Sequence, residues 1–157
     1  DNWFIDRGEE PGDPDDCTRT VANARAAYRS LLPFFQEHPD VLFVAFTPPP
    51  MVEYEPVGLK STVKSWFKDT SRGGKLAREF NTWMTDRENG WLAEYELVNV
   101  VVFDYWDVLT GPGDGNYLAY PSRPNDSHPS SEGNQKAAAA FMPFLEQAVV
   151  PMGWAIP

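Results

Sequence analysis

Hydrophobic residues recur with a helical period through the first third of the chain. Between Thr18 and Gln36, apolar side chains return at intervals of three and four residues, which predicts an amphipathic helix. Asp16 or Thr18 is expected to cap its start, and Pro33 to kink its last turn. After a His-Pro-Asp turn, residues 41–46 read VLFVAF, an apolar run typical of a central parallel strand. A helix followed by a buried strand is therefore predicted.

The same order is repeated in the second half of the chain. Leu76, Phe80 and Trp83 indicate a helix from about Lys75 to Arg87, with a short continuation near residues 91–95. Residues 98–105, VNVVVFDY, again read as a buried strand. A loop of about 25 residues, rich in Gly, Pro, Asp and Asn, then leads to a last helix predicted over residues 131–149.

Helices that alternate with apolar strands are typical of an α/β fold with a parallel sheet. Residues 1–157 are expected to form one such domain. Only two strands are strongly indicated, however, and a two-stranded sheet is marginal in water. Either further strands come from another chain, or the sequence is the C-terminal part of a larger domain; the second interpretation is favoured.

The charge and composition of the chain limit the classes of partner that it is expected to bind. The net charge is −10, which makes a phosphate backbone an unfavourable partner, and nucleic-acid binding is not expected. No apolar run reaches the length of a membrane span. One cysteine and two histidines exclude a Cys/His zinc cluster, so no metal and no cofactor is predicted. Residues 1–17 hold seven acidic residues and one arginine, and are predicted to be a solvated acidic loop. High acidity and many aromatics favour an extracellular or periplasmic location.

The long loop carries the candidate chemistry. Loops beyond the carboxyl ends of parallel strands form the ligand crevice in open α/β sheets. His128 lies two residues after Asp126, which places a general base beside an acidic group that can orient it. Ser130 or Ser131 can cap the helix that follows. A loop histidine at a helix entry, without a catalytic role, is the competing interpretation.

At these residues the sequence resembles a known family. The block DSHPSSEGN (126–134), followed by an Ala-rich helix, resembles the last conserved block of the SGNH, or GDSL-type, hydrolases. The resemblance extends to HPDVLFVAFTPPP (38–50), to LAREFNTWM (76–84) and to VNVVVFDYWDVLT (98–110). It covers most of residues 20–148.

The resemblance implies a flavodoxin-like three-layer α/β/α fold and hydrolysis of esters, such as acetyl or acyl groups on carbohydrates or lipids. By resemblance, His128 is the catalytic base. The family's acid stands three residues before the histidine, where this chain has Asn125; Asp126 stands two before and is the favoured orienter, with Asn125 as the alternative. No Gly-Asp-Ser nucleophile block occurs, so the nucleophile is expected on a missing N-terminal segment or a second chain.

Three aromatic residues flank this loop. Trp106, Tyr117 and Tyr120 are candidate linings of an acyl or sugar pocket, and packing in the core is the alternative for each. The competing function, from a different class, is a non-catalytic glycan-binding or structural module that keeps the fold and uses its aromatic side chains to hold sugars.

Overall fold

The structure, a computed structural model, describes residues 4–53, 71–111 and 115–154. It is a mixed α/β arrangement in which helices surround a small parallel sheet. In chain order the elements are α1 (Val21–Ser30), α2 (Leu32–Gln36), β1 (Phe43–Phe46), α3 (Ser71–Thr85), β2 (Val100–Phe103), α4 (Tyr105–Thr110), α5 (Ser131–Val149) and a 3₁₀ turn (Val150–Met152).

Both predicted strands are present, pair with each other and run parallel, as expected. Phe43 is opposite Val100 and Phe46 is opposite Phe103. Each strand has four residues, so the predictions of 41–46 and 98–105 were too long. At the start of β1 the Val41 amide turns back to the His38 carbonyl. At the end of β2 the chain enters α4 directly.

Helices cover both faces of the sheet. On one face, Phe43 and Val100 pack into a core that α1 and α3 supply. On the other face, the rings of Phe46 and Phe103 lie 5.2 Å and 5.1 Å from the ring of Phe141 in α5. Because side chains alternate along a strand, every strand residue contributes to one of these two layers. Among the described residues the sheet has no third strand.

The first helix differs from its prediction in two ways. It begins at Val21, with Thr20 as the cap: the Thr20 hydroxyl accepts a hydrogen bond from the Asn23 amide. The expected caps were wrong because Asp16 is already engaged by the amide and hydroxyl of Thr18. The helix also breaks at Leu31, just before Pro33, and continues as α2. Proline lacks an amide hydrogen and clashes with the preceding turn, so a break near Pro33 was foreseeable.

The acidic N-terminal segment is attached to the helices. Phe4 is buried, with its ring 5.4 Å from that of Phe80. Glu10 accepts hydrogen bonds from Arg25 and Arg29 of α1, and Arg7 donates to Glu79 of α3 at 2.7 Å. The acidic side chains that are described in this segment lie at the surface, and a solvated acidic loop stays a prediction. One aromatic anchor and several ion pairs hold the segment in place.

The last helix matches its predicted bounds, and the helix over 75–87 runs instead from Ser71 to Thr85. Residues 91–94 form turns where a helical continuation was expected. The helix α4 was missed, because its six residues are too few to establish a period. None of the helices in the described part of the chain has the length and apolar character needed to span a lipid bilayer.

Candidate functional site

Because β1 and β2 run parallel, the residues that follow each strand lie at the same edge of the sheet. Thr47 follows β1 and Asp104 follows β2. The buried Thr47 hydroxyl donates to Asp104 Oδ1 at 3.2 Å and accepts from the Trp106 amide at 2.7 Å. The Thr47 amide donates to the Phe103 carbonyl. A hydrogen-bonded network therefore joins the two strand exits and fixes the base of the loops above them.

Asp104 occupies an unusual electrostatic position at this edge. Its Oδ1 atom also accepts from the Asp107 amide at 3.1 Å, so the carboxyl caps the start of α4. Burial raises the pKa of Asp104 above its ordinary value, and these hydrogen bonds oppose the rise without cancelling it. Thr47 and Asp104 were not among the predicted site residues. The available signal was a polar residue directly after each apolar strand.

The loop that carries Asp126 and His128, the predicted dyad, is held by backbone hydrogen bonds at its neck, where the loop leaves and rejoins the rest of the fold. The Leu118 amide donates to the Met51 carbonyl, and the Ala119 amide donates to the Leu109 carbonyl, both at 2.9 Å. Two further backbone hydrogen bonds close the loop: the Ser130 amide donates to the Tyr120 carbonyl, and the Ser122 amide donates to the His128 carbonyl. The chain between them forms a narrow hairpin, in which Pro121 and Pro129 are paired antiparallel.

Asp126 organises this tip through both of its carboxylate oxygens. Oδ2 accepts from the Ser122 hydroxyl at 2.8 Å and from Arg123 Nε at 3.0 Å. Oδ1 accepts from the His128 amide at 3.0 Å and lies 2.6 Å from His128 Nδ1. These bonds, the one with the His128 ring first, hold the pKa of Asp126 far below its usual range. The carboxylate of Asp126 is therefore ionised in the folded protein at neutral pH.

The short Nδ1–carboxylate contact assigns the proton on the imidazole of His128. Asp126 is ionised and can only accept, so Nδ1 carries a hydrogen, and in the neutral imidazole the lone pair is then on Nε2. The His128 side chain is 90% exposed, whereas that of Asp126 is only 16% exposed. The arrangement is a fixed carboxylate that orients a solvent-facing base. Such a pair can remove a proton from an approaching hydroxyl group.

A side chain of the dyad loop contacts the segment that follows β1. Ser127 lies between Asp126 and His128, and its Oγ accepts from the Val52 amide at 3.1 Å. Val52 belongs to the segment that leaves β1 through Thr47 and three prolines. The dyad is thus tied to the carboxyl end of β1, where ligands bind in open α/β sheets. This link was not predicted.

Asn125, the alternative orienter, occupies the turn that precedes the dyad. Its φ angle is +60°, in the left-handed region that asparagine tolerates better than most residues. The imidazole contact is made by Asp126, the favoured candidate. A catalytic role for either residue stays a prediction.

The three aromatic candidates are placed differently. Trp106 is only 1% exposed and lies under the Arg78 guanidinium at 5.7 Å, which corresponds to the packing alternative. Tyr120 is partly exposed, with Lys136 Nζ 5.0 Å from its ring centre. Tyr117 is also partly exposed. The two tyrosines therefore remain candidates for contact with a ligand, and Trp106 reaches none in this conformation.

Gly133 allows the dyad loop to sit close to α5. A Cβ atom at this position would lie 3.0 Å from Tyr120 Cβ and 3.2 Å from Pro129 Cβ, closer than side chains normally pack. The Ser130 hydroxyl caps the helix by accepting from the Gly133 amide, as one of the two expected caps. The glycine thus fixes the distance between the helix start and the hairpin neck.

Among the described residues, no group of three or more His, Cys, Asp or Glu side chains is arranged to hold a metal ion. Comparison of the chain with models of protein families, with characterised proteins and with solved structures found no match.

Proposed function

We propose that the chain takes part in ester hydrolysis of the SGNH type, with His128 as the general base and Asp126 as its orienter. The observation that carries the proposal is the 2.6 Å contact between His128 Nδ1 and Asp126 Oδ1, with the rest of the imidazole open to solvent. The resemblance of residues 126–134 to the last block of that family supports it. A flavodoxin-like fold belongs to the same proposal, supported by the parallel strands with helices on both faces.

The proposed reaction follows the usual course of a serine esterase. His128 Nε2 takes the proton of a serine hydroxyl while its oxygen attacks the ester carbonyl. The tetrahedral intermediate collapses, and the leaving alcohol receives that proton from the imidazolium, which Asp126 stabilises. Water then attacks the acyl-serine and gives a proton to His128. His128 returns that proton to the serine oxygen as the second tetrahedral intermediate collapses, which releases the carboxylic acid and the free serine. The substrate class is a small-molecule or glycan ester, in an extracellular or periplasmic setting.

The proposed reaction also needs a nucleophilic serine whose hydroxyl can reach His128. Within the described ranges, no serine hydroxyl is hydrogen-bonded to His128. Ser61 and Ser65 lie outside the described residues, and a further segment or a second chain is the alternative source. The proposal therefore requires a test that identifies the serine as well as the activity.

Labelling with a fluorophosphonate, which reacts with activated serines, supplies that test. The protein isolated from its natural source, with any larger parent chain or co-purifying partner, is expected to take up one label in a peptide identified by mass spectrometry. His128→Ala should reduce the labelling rate by about 10²-fold or more, because the general base is lost. Asp126→Asn should also reduce it, because the imidazole loses its ionised orienter.

His38→Ala is the matched control, since His38 is the other histidine of the chain. Its Nδ1 lies 2.8 Å from the Phe34 carbonyl at a helix end, and it is remote in sequence from the dyad. Its labelling should equal that of the wild type. Absence of label, or equal labelling of the wild type and His128→Ala, would refute the esterase proposal and favour the glycan-binding module.

A further inference from the structure

Ser122 contacts both members of the dyad. Its hydroxyl donates to Asp126 Oδ2 at 2.8 Å, and its amide donates to the His128 carbonyl at 2.9 Å. The residue before it, Pro121, is paired antiparallel with Pro129, the residue that follows His128. The backbone of Ser122 is therefore fixed against the same hairpin strand that carries the imidazole, and its hydroxyl reaches the carboxylate from there.

The carboxylate of Asp126 is held by a full set of hydrogen-bond donors. A carboxylate has about four lone-pair sites. Oδ1 accepts from the amide and the ring of His128, and Oδ2 accepts from the Ser122 hydroxyl and from Arg123 Nε. Because the side chain is only 16% exposed, water has little access to replace a missing donor. Loss of a donor on Oδ2 would therefore free the carboxylate to turn, and turning moves Oδ1 away from the imidazole.

The two donors on Oδ2 differ in how firmly they are held. The Arg123 side chain is 80% exposed, so its ion pair with Asp126 is screened by solvent and must order a long, flexible side chain. Ser122 places its oxygen through a single side-chain torsion, on a backbone that the bond to His128 already fixes. The serine hydroxyl is therefore the preorganised donor of the pair.

We propose that Ser122 is a positioning residue of the dyad: its hydroxyl holds the Asp126 carboxylate in the orientation that keeps a hydrogen on His128 Nδ1. In the other neutral tautomer the hydrogen is on Nε2, and that atom then has no lone pair with which to accept a proton from a hydroxyl group. Ser122 acts through Asp126 and need not touch a substrate. Its effect on reactivity rests on the proposed hydrolase function, whereas its effect on the imidazole tautomer does not.

Nitrogen NMR of isotope-labelled histidine rings tests the effect on the tautomer and needs no nucleophile. The protein is used with any larger parent chain or partner, at alkaline pH where the ring is neutral, and His128→Ala assigns the signals. Ser122→Ala should lower the ratio of the Nδ1–H to the Nε2–H form by about three- to tenfold, as expected for the loss of one hydrogen bond. Ser122→Thr keeps a hydroxyl and should restore the wild-type ratio. Ser122 is exposed, so neither change should prevent folding.

The rate of fluorophosphonate labelling measures the consequence for reactivity. Ser122→Ala should lower this rate by about three- to tenfold, and Ser122→Thr should recover most of the loss. Arg123→Gln should lower the rate less than Ser122→Ala does, because the guanidinium is exposed. Ser131→Ala is the matched control: Ser131 is an exposed serine at the start of α5, with no hydrogen bond to the dyad among the described residues, and its variant should react as the wild type does.

An unchanged tautomer ratio in Ser122→Ala would overturn the proposal. So would a loss of labelling rate that Ser122→Thr does not recover, or one that Arg123→Gln or Ser131→Ala equals. A changed ratio with an unchanged labelling rate would overturn the role of Ser122 in the reaction. A wild type that takes up no label would refute the hydrolase function alone, and the NMR ratio would still decide whether Ser122 positions the imidazole.

Discussion

Two aspartates of the site have pKa values shifted in opposite directions by their surroundings. Asp126 accepts hydrogen bonds at both oxygens from groups that favour its charged form, so its pKa is lowered. Asp104 is removed from water beneath the strand exits, and that burial raises its pKa. The first is suited to hold a histidine in a defined tautomer, and the second to hold two strand exits together. Each assignment has a consequence for stability that can be measured.

Asp126→Asn should destabilise the protein at pH 7, and the difference from the wild type should shrink in acid. A carboxyl group whose pKa is depressed by folding contributes stability above its ordinary value of 3.8, and loses it as the pH falls through the folded value. Urea unfolding of both proteins at pH 7 and at successively lower pH provides the comparison. Asp40→Asn, whose exposed carboxylate makes no described hydrogen bond, is the control and should track the wild type.

Asp104→Asn should stabilise the protein at pH 7. The amide oxygen can still accept from the Asp107 amide and the Thr47 hydroxyl, and the cost of a buried charge is removed. Because folding raises this pKa, wild-type stability falls as the pH rises from 3.8 through the folded value, and the gain should disappear at low pH.

Asp104→Ala removes both the charge and the capping hydrogen bond, so its comparison with Asp104→Asn measures the contribution of the cap. It loses the hydrogen bond to the first turn of α4 and should be about 1 kcal/mol less stable than Asp104→Asn. The measurement is the urea midpoint of the two variants at pH 7. Equal midpoints would contradict the role of this side chain as a cap.

At the scale of elements, a short segment is held by one buried ring and a set of ion pairs. Residues 4–20 have no helix or extended strand of their own, apart from an isolated bridge between Asp6 and Thr20. Glu79 is shared by Arg7 and Arg25, and the guanidinium groups of Arg25 and Arg29 lie over the Trp83 ring. Partly exposed ion pairs contribute little each, so the apolar anchor should dominate.

Phe4→Ala should therefore cost about 3 kcal/mol, because Phe4 is 7% exposed and packs against Phe80 in the core. Its neighbour Ile5 is 54% exposed, and Ile5→Ala should change stability by less than about 0.5 kcal/mol. Chemical unfolding monitored by tryptophan fluorescence measures both. Similar losses in the two variants would mean that the segment is not anchored through Phe4.

The boundaries of elements were less predictable than their existence. Period and apolar runs located α5, α3 and both strands, because long stripes and continuous apolar segments depend on the sequence alone. The cap of α1 was misassigned because Asp16, Thr18 and Thr20 all have the chemistry of a cap. Only the pairing of Asp6 with Thr20 and the turn at Asp16 distinguish them. The six residues of α4 are too few to show a repeating apolar stripe in the sequence.

At the scale of the whole molecule, the sheet is small for the apolar strands that form it. Helices α1 and α3 cover one face and α5 covers the other, whereas the outer edge of β1 keeps its backbone groups unpaired among the described residues. The proposed SGNH-type fold requires further strands beside this edge, because a two-stranded sheet is marginal in water.

The sequence by itself determined the α/β class of the fold, the order of its longer helices and of both strands, and the proximity of Asp126 to His128. These depend on period, on apolar runs and on a spacing of two residues, which are local properties of the chain. The tertiary structure alone decided that Thr47 and Asp104 meet, that Ser127 is tied to Val52, and that Trp106 is buried. Each of these contacts joins residues far apart in sequence or depends on what covers a side chain. Thr47 and Asp104 meet because of the register of β1 against β2, which no local pattern specifies.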